Sequence, residues 1–283
     1  MIIVIPFCIK DCRAALRNIE WAYELDGKLP FDVLLSYDTD VPQLLVEDID
    51  TAARKAFDGV IHFRYNEWKG RPNWPNPQNY AFQCLSWEII NKHKRPFLFM
   101  EPDAVPIRHR WAHDIWHDYQ SCGKKFMGHI VHGAINATSL HLNGVAVYPP
   151  NLHEFSTAMM IPPEGMAWDV AGSYGSVVQN ARHTHLIMNV WEIDEKNKPV
   201  TSGGIHPIFN DQKTVDDLVD FDAALFHRCK NGTLIDRLRE RRSPAVSESV
   251  KINLSAVEKE PKQAAQPKVV AKPKKRKAKR RRK

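Results

Sequence analysis

The chain opens with IIVIPFC, a short unbroken apolar run rich in β-branched residues. Such a run predicts a central parallel strand covered on both faces. Asp11 then stands where a helix N-cap would. Ala15, Ile19, Ala22 and Tyr23 recur at i, i+4, i+7 and i+8, the apolar stripe of an amphipathic helix. LDGKLP ends that helix with a glycine and a proline, FDVLLSYD predicts a second strand, Ile49 to Phe57 a short helix, and GVIHFRY a third strand. The alternation β-α-β-α-β predicts a parallel sheet with helices on its faces.

WKGRPNWPNPQNY is a proline-rich loop, followed by a helix from Gln78 to Lys92 with Ala81, Leu85 and Ile89 on one stripe. RPFLFM predicts a fourth strand and runs into EPDAVP, so a carboxylate pair falls at the carboxyl end of a strand, where open α/β sheets bind ligands. Beyond it the pattern predicts a helix from Arg108 to Tyr119, strands near Lys125 to Val131, Gly144 to Tyr148 and HLIMNVWEI, and a last helix running to Arg242. That strand-rich stretch implies a mixed sheet beyond the parallel half. From Ser243 onward Pro, Ala, Lys, Ser and Glu dominate, so residues 243–283 are expected to be a disordered tail behind a folded domain of residues 1–242.

Charge sharpens that division. The 40 basic and 33 acidic residues give a net charge of +7, but 12 of the basic ones and none of the acidic ones lie in Pro261–Lys283. The body is therefore mildly acidic and the tail polycationic. With 43% hydrophobic residues the body can bury a large core. Its five cysteines, Cys8, Cys12, Cys84, Cys122 and Cys229, form no CxxC pair and suit a reducing compartment, with Cys8 and Cys12 expected as buried small apolar groups. Met1 to Ile9 is too short to span a bilayer and lacks the flanks of a signal peptide, so a cytoplasmic protein without a membrane span is expected. A Walker loop, GxGxxG, GxSxG and CxxC are all absent, which argues against P-loop, Rossmann dehydrogenase, α/β-hydrolase and thioredoxin-like chemistry.

Glu101 and Asp103 flank Pro102, and on extended backbone both side chains would point to one side. Two hard oxygen ligands so spaced suit one divalent cation, and Mg²⁺ or Mn²⁺ keeps its other positions for water and phosphate. EPD alone is a weak motif, and an ordinary polar turn competes with it. Taken in order, however, IIVIPFC, FDVLLSYD, GRPNWPNPQNYAFQ and FLFMEPDAVPI resemble the nucleotide-sugar half of GT-A-fold glycosyltransferases.

The resemblance implies an α/β fold of GT-A type, a Rossmann-like nucleotide-binding half joined to a mixed sheet, and a nucleotide-sugar donor, with a UDP-sugar expected first. It maps Glu101 and Asp103 onto the family's DxD motif, which holds Mn²⁺ or Mg²⁺ against the donor diphosphate; Glu for the first Asp lengthens one ligand. It also implies that Asp38 contacts the nucleoside, that Pro6 and Phe7 lie beneath the base, and that Arg71 and Asn79 approach the nucleotide. The residues themselves leave other roles open, since Asp38 can cap a turn in DTDVP and Asn79 can cap the following helix.

In the second half, HLNGVAVYPP is a strand and WDVAGSYG a Trp-Asp pair followed by small residues. The resemblance implies a carboxylate facing the acceptor near a helix start, which makes Asp169 the candidate general base of an inverting enzyme; capping of a helix from Val170 is its competing role. Inverting and retaining chemistry both stay open. His113 and His117 have a zinc spacing but no HExxH or third ligand, and read as one side of an exposed amphipathic helix. His227, in ALFHRCK, resembles the late histidine that supplies a third metal ligand, with Lys230 three residues on in reach of a phosphate and His206 in GGIHP a weaker alternative. A satisfied core histidine competes with that role.

KPKKRKAKRRRK is ten basic residues in twelve, a run that binds polyanions through counterion release; a localisation signal is the simpler use. Joined to the resemblance, and to the similarity of the PFCIKD opening and compact domain to phage enzymes that glycosylate DNA, it implies a metal-dependent hexosyltransferase acting on a hydroxymethylated base in bacteriophage DNA. Transfer to a protein or surface saccharide is the alternative within enzymes. A non-catalytic GT-A-like nucleic-acid-binding protein is the alternative outside them.

Overall fold

A parallel strand needs hydrogen-bonded neighbours and apolar cover on both faces, and the first hundred residues supply both. The computed structural model describes residues 1–66, 68–70, 73–131, 140–189, 222–227 and 232–242. In it β1 (Ile2–Phe7), β2 (Leu29–Asp38), β3 (Phe57–Tyr65) and β4 (Phe97–Phe99) form a parallel half-sheet in the order β3-β2-β1-β4. Side chains alternate across β1: Ile3 and Ile5 pack with Ala15, Ile19 and Ala22 of α1 (Cys12–Asp26) and with Val46, Ile49 and Ala53 of α2 (Gln43–Ala56). Ile2 and Val4 pack on the other face with Phe82 and Leu85 of α3 (Asn76–Glu88). One strand thus ties two apolar layers together.

Several boundaries differ from the sequence expectations. Asp11 precedes α1 but does not cap it; its carboxylate accepts the Cys8 N–H at 2.6 Å and so closes the β1–α1 turn. Pro42, with its fixed φ, opens α2 at Gln43, so Val46 joins Ile49 and Ala53 in a stripe begun well before Ile49. Pro77 sits in the first turn of α3, which starts at Asn76.

Beyond β4 the sheet turns antiparallel. Next in the chain come β5 (Val105–Pro106), α4 (Trp111–Ser121), β6 (Phe126–Val131) and β7 (His141–Tyr148), then α5 (Thr157–Met160), α6 (Trp168–Ala171), β8 (Ala181–His183), β9 (Ile187–Asn189), β10 (Leu225–His227) and α7 (Thr233–Arg242). β7 pairs antiparallel with both β4 and β6, and β8 pairs parallel with β6, giving a mixed sheet of seven strands among the described residues. β10 lies between β5 and β9 in a smaller sheet. α7 docks on α1, where Arg239 makes a bidentate pair with Glu24 and, with Arg242, lies over the Trp21 ring. The strand expected at HLIMNVWEI covers Ile187–Asn189; residues 190–193, like His206 and the tail 243–283, lie outside the described residues. No described helix is long and apolar enough to cross a membrane.

Candidate active site and metal centre

The site begins in the turn after β4. Ala104 donates its N–H to the Glu101 carbonyl at 2.8 Å, so Glu101 to Ala104 form a tight turn and not the extended segment expected from the spacing. A buried asparagine of α1, Asn18, donates its amide to the carbonyls of Pro102 and Ala104, on either side of Asp103. The chain then enters β5, whose pairing of Val105 with Phe226 and Pro106 with Leu225 sets the height of β10. That register delivers the next β10 residue, His227, onto the carboxylates. Its Nε2 lies 3.1 Å from Glu101 Oε2 and 3.3 Å from Asp103 Oδ1.

Glu101, Asp103 and His227 each offer a ligand atom, and these atoms lie within 4.8 Å of one another. Among the described residues they are the one group of three or more His, Cys, Asp or Glu so arranged; His113 and His117 are not in it, and His113 packs edge-on against Phe31. Burial disfavours a charge on His227, but Asp103 and Glu101 outweigh it and raise the imidazole to about 9. The neutral-pH form without a cation is therefore an imidazolium between two carboxylates. A divalent cation would take the place of that proton.

β7 closes the site from behind. Asn143, 3% exposed, places its Oδ1 3.2 Å from His227 Nδ1. Gly144 is where β7 must come close: a Cβ there would stand 3.2 Å from the Trp168 ring and 3.3 Å from Glu101 Oε1. Trp168 stacks flat on Phe82, centroids 3.5 Å apart, and meets Phe99 and Tyr148 edge-on. Asn79 secures the same segment from α3, donating to Met166 O at 2.8 Å and accepting the Trp168 N–H at 2.9 Å. Both ends of its amide are engaged within the protein, so it braces the Trp168 loop and does not cap α3.

Asp169 follows Trp168 in the first turn of α6, which begins at Trp168 and not at Val170; Ala167 occupies the capping position. Its Oδ1 accepts the Val170 N–H at 2.8 Å. Removal from solvent pushes its carboxyl above the usual range, partly offset by His141 and reinforced by Glu101.

A cleft of about 460 Å³ opens at the carboxyl ends of the parallel strands. That volume falls within the range usual for small-molecule sites. Pro6, Phe7 and Asp38 from the first two strands and Glu101 and Asp103 from the fourth line it. Phe7 is braced from below by a stacked Tyr37 at 5.2 Å. Asp38 lines the cleft, and its Oδ1 accepts the Asp40 N–H at 3.0 Å, which closes the turn after β2. Tyr65 and Trp68, which the sequence did not single out, also line the cleft, as does Cys8, which is not the buried apolar group expected, although Cys12 is. Arg71 and Lys230 lie outside the described residues.

The fold has known counterparts. The galactosyltransferase LgtC, solved with donor and acceptor sugar analogues, superposes with a TM-score of 0.52 at 12% identity, over 85% of this chain and 94% of its own. The bifunctional glycosyltransferase WbbM gives 0.53 at 11% identity over 86% of this chain, which spans 49% of that larger protein. No protein-family model and no curated protein sequence matches the chain. The architecture matches the GT-A glycosyltransferase fold: a parallel half-sheet continued by an antiparallel half.

Proposed function

We propose that this chain is a metal-dependent glycosyltransferase that moves a sugar from a nucleotide-sugar donor to a hydroxyl acceptor. The observation that carries the reading is the convergence of Glu101, Asp103 and His227 beside a nucleotide-sized cleft in a GT-A fold. Two carboxylates and one imidazole nitrogen suit Mn²⁺, and Mg²⁺ less closely, with positions left for diphosphate oxygens. A bound cation would supply neutralisation of the charge that develops on the leaving nucleoside diphosphate.

The side chains divide the remaining work. Pro6, Phe7 and Asp38 hold the nucleoside, a UDP-sugar being the first donor to try, and Arg71 and Lys230 meet the phosphates. Asp169 is the acceptor-side carboxylate. Its raised pKa suits a general base that takes the acceptor hydroxyl proton if the enzyme inverts. Asn79 acts through the Trp168 loop that carries Asp169. Residues 1–242 form the catalytic domain in this reading.

For the acceptor, the tail supplies the main clue. Ten basic residues in the last twelve attract a polyanion, and a hydroxymethylated pyrimidine in bacteriophage DNA offers both the polyanion and the hydroxyl. Such a base would have to leave the duplex stack to reach the cleft. A saccharide acceptor is the second reading, favoured by the fold shared with LgtC, a protein solved with an acceptor sugar analogue.

One assay separates these. The chain is incubated with a panel of nucleotide sugars, with Mn²⁺ or with chelator, on hydroxymethylcytosine, hydroxymethyluracil and unmodified DNA and on oligosaccharides, and products are read by mass spectrometry. Chelator-sensitive sugar addition to hydroxymethylated nucleosides is the expected result. Addition to oligosaccharides alone would overturn the DNA acceptor and leave the enzyme reading standing. No transfer and no donor hydrolysis with any nucleotide sugar would overturn both.

A further inference from the structure

The ligand His227 has two ring nitrogens, and only a deprotonated Nε2 can bind a cation between Glu101 and Asp103. We infer that Asn143 is a positioning residue that places the proton of neutral His227 on Nδ1 and so keeps Nε2 free for the metal. The inference rests on the metal-dependent reading above and extends it to a residue outside the ligand set.

With Nε2 given to a cation, the geometry leaves one consistent place for the remaining ring proton. Asn143 Oδ1 lies 3.2 Å from the Val145 backbone N–H, a donor that requires an acceptor opposite it. The amide is therefore oriented with its oxygen toward Val145, and that same oxygen faces His227 Nδ1 at 3.2 Å. An acceptor facing Nδ1 requires that Nδ1 carry hydrogen. Neutral His227 then has its lone pair on Nε2, the atom 3.1 Å from Glu101 and 3.3 Å from Asp103.

Asn143 is itself held in place. The Tyr148 hydroxyl donates to the Gly144 carbonyl at 2.8 Å and lies 3.3 Å from the Asn143 carbonyl, so the strand on which the amide sits is pinned. With residues 141–148 buried throughout β7, a polar side chain at position 143 has no solvent to satisfy it. Its engagement with His227 answers that need, and partners of this type on a ligating histidine are worth roughly 10–100-fold in metal affinity.

The test uses the full chain and two variants. Mn²⁺ affinity is measured by calorimetry for wild type, Asn143→Leu, which fills the space without an acceptor, and Asn143→Asp, which restores one. Histidine-selective ¹⁵N NMR of the Mg²⁺-loaded wild type, with His227 assigned by its loss in His227→Gln, reads the tautomer directly. The expected results are an Nδ1–H imidazole, a loss of roughly 10–100-fold in Asn143→Leu, and recovery in Asn143→Asp to at least wild-type affinity. An Nε2–H His227 in the loaded wild type would overturn the inference without any variant. So would Mn²⁺ binding by folded Asn143→Leu as tight as wild type, or an Asn143→Asp as weak as Asn143→Leu. A wild type that takes up neither Mn²⁺ nor Mg²⁺ would overturn the metal reading itself and this inference with it.

Discussion

The two halves of the chain reach the candidate site by different routes. In the parallel half each strand ends in the residues it supplies: β1 in Pro6 and Phe7, β2 in Asp38, and β4 in the Glu101–Asp103 turn. Strand order alone lines these up along one edge. The second half reaches the site through long-range contacts. His227 meets Glu101 across 126 residues and Asn143 across 84, and Asp169 arrives on a loop tied to α3 through Asn79, 89 residues before Trp168. The cleft, the proposed donor site, is thus a consequence of local chain order, whereas the Glu101–Asp103–His227 cluster, the proposed metal site, is a joint between the halves. Damage to the joint should be felt as lost metal, lost turnover and lost diphosphate binding, and damage to the cleft as lost nucleoside affinity.

The apolar seam of the joint carries the largest expected effect. Trp168→Ala removes the ring stacked on Phe82 and is expected to cost about 3–5 kcal/mol in denaturant unfolding. A loss below about 1 kcal/mol would show that the halves are held elsewhere. Asp103→Asn should lower kcat by about 100–1,000-fold at saturating donor and Mn²⁺, the scale of removing one group that stabilises developing charge. Its donor cleft should otherwise be intact, so nucleoside binding without metal should be unchanged. Asn79→Ala should cost about 1–3 kcal/mol, because it strands a backbone donor and a backbone acceptor. It should depress kcat with little change in donor KM; a raised KM at constant kcat would return Asn79 to the nucleotide.

The mildest test of the joint is pH. His227 is raised to about 9 from its usual 6.5, so its stabilising pairing is fully present below 6.5 and is lost as pH rises through about 9. Metal-free protein should therefore lose stability across pH 6.5 to 9. Mn²⁺, by replacing the proton, should bind more tightly as pH rises through the same window and remove that loss. A flat unfolding midpoint for metal-free protein over this range, equal in wild type and His227→Gln, would contradict the pairing.

The same contrast explains what was legible in the amino-acid sequence. Strands and helices of the parallel half were visible because IIVIPFC, FDVLLSYD and FLFM are continuous apolar runs separated by helical stripes, and chain order then set the sheet. Helix starts depart from the apolar stripe where a proline, such as Pro42, outweighs it as a start signal. Asp11, a plausible cap by type, was claimed by the Cys8 N–H of a tight turn that no periodicity reveals. His227 is legible as a candidate because it ends an apolar run and resembles the family's late histidine, and its meeting with Glu101 depends on the pairing of β10 with the two-residue β5. Asn143 and Asn18 left a fainter signal: a polar residue within an otherwise apolar strand, and another on the buried stripe of a helix. Such residues are worth singling out, since burial obliges their amides to find partners.

Glu101, Asp103 and His227 are proposed to hold a cation on which donor binding depends. Calorimetric titration of UDP and of a panel of other nucleoside diphosphates into the full chain, with Mn²⁺ and with chelator, in wild type and His227→Ala, tests it most directly. At least one nucleoside diphosphate should bind tightly to wild type in a way that requires Mn²⁺ and is weakened to the chelator level in His227→Ala. Binding of equal strength with chelator, or unaltered in His227→Ala, would contradict it.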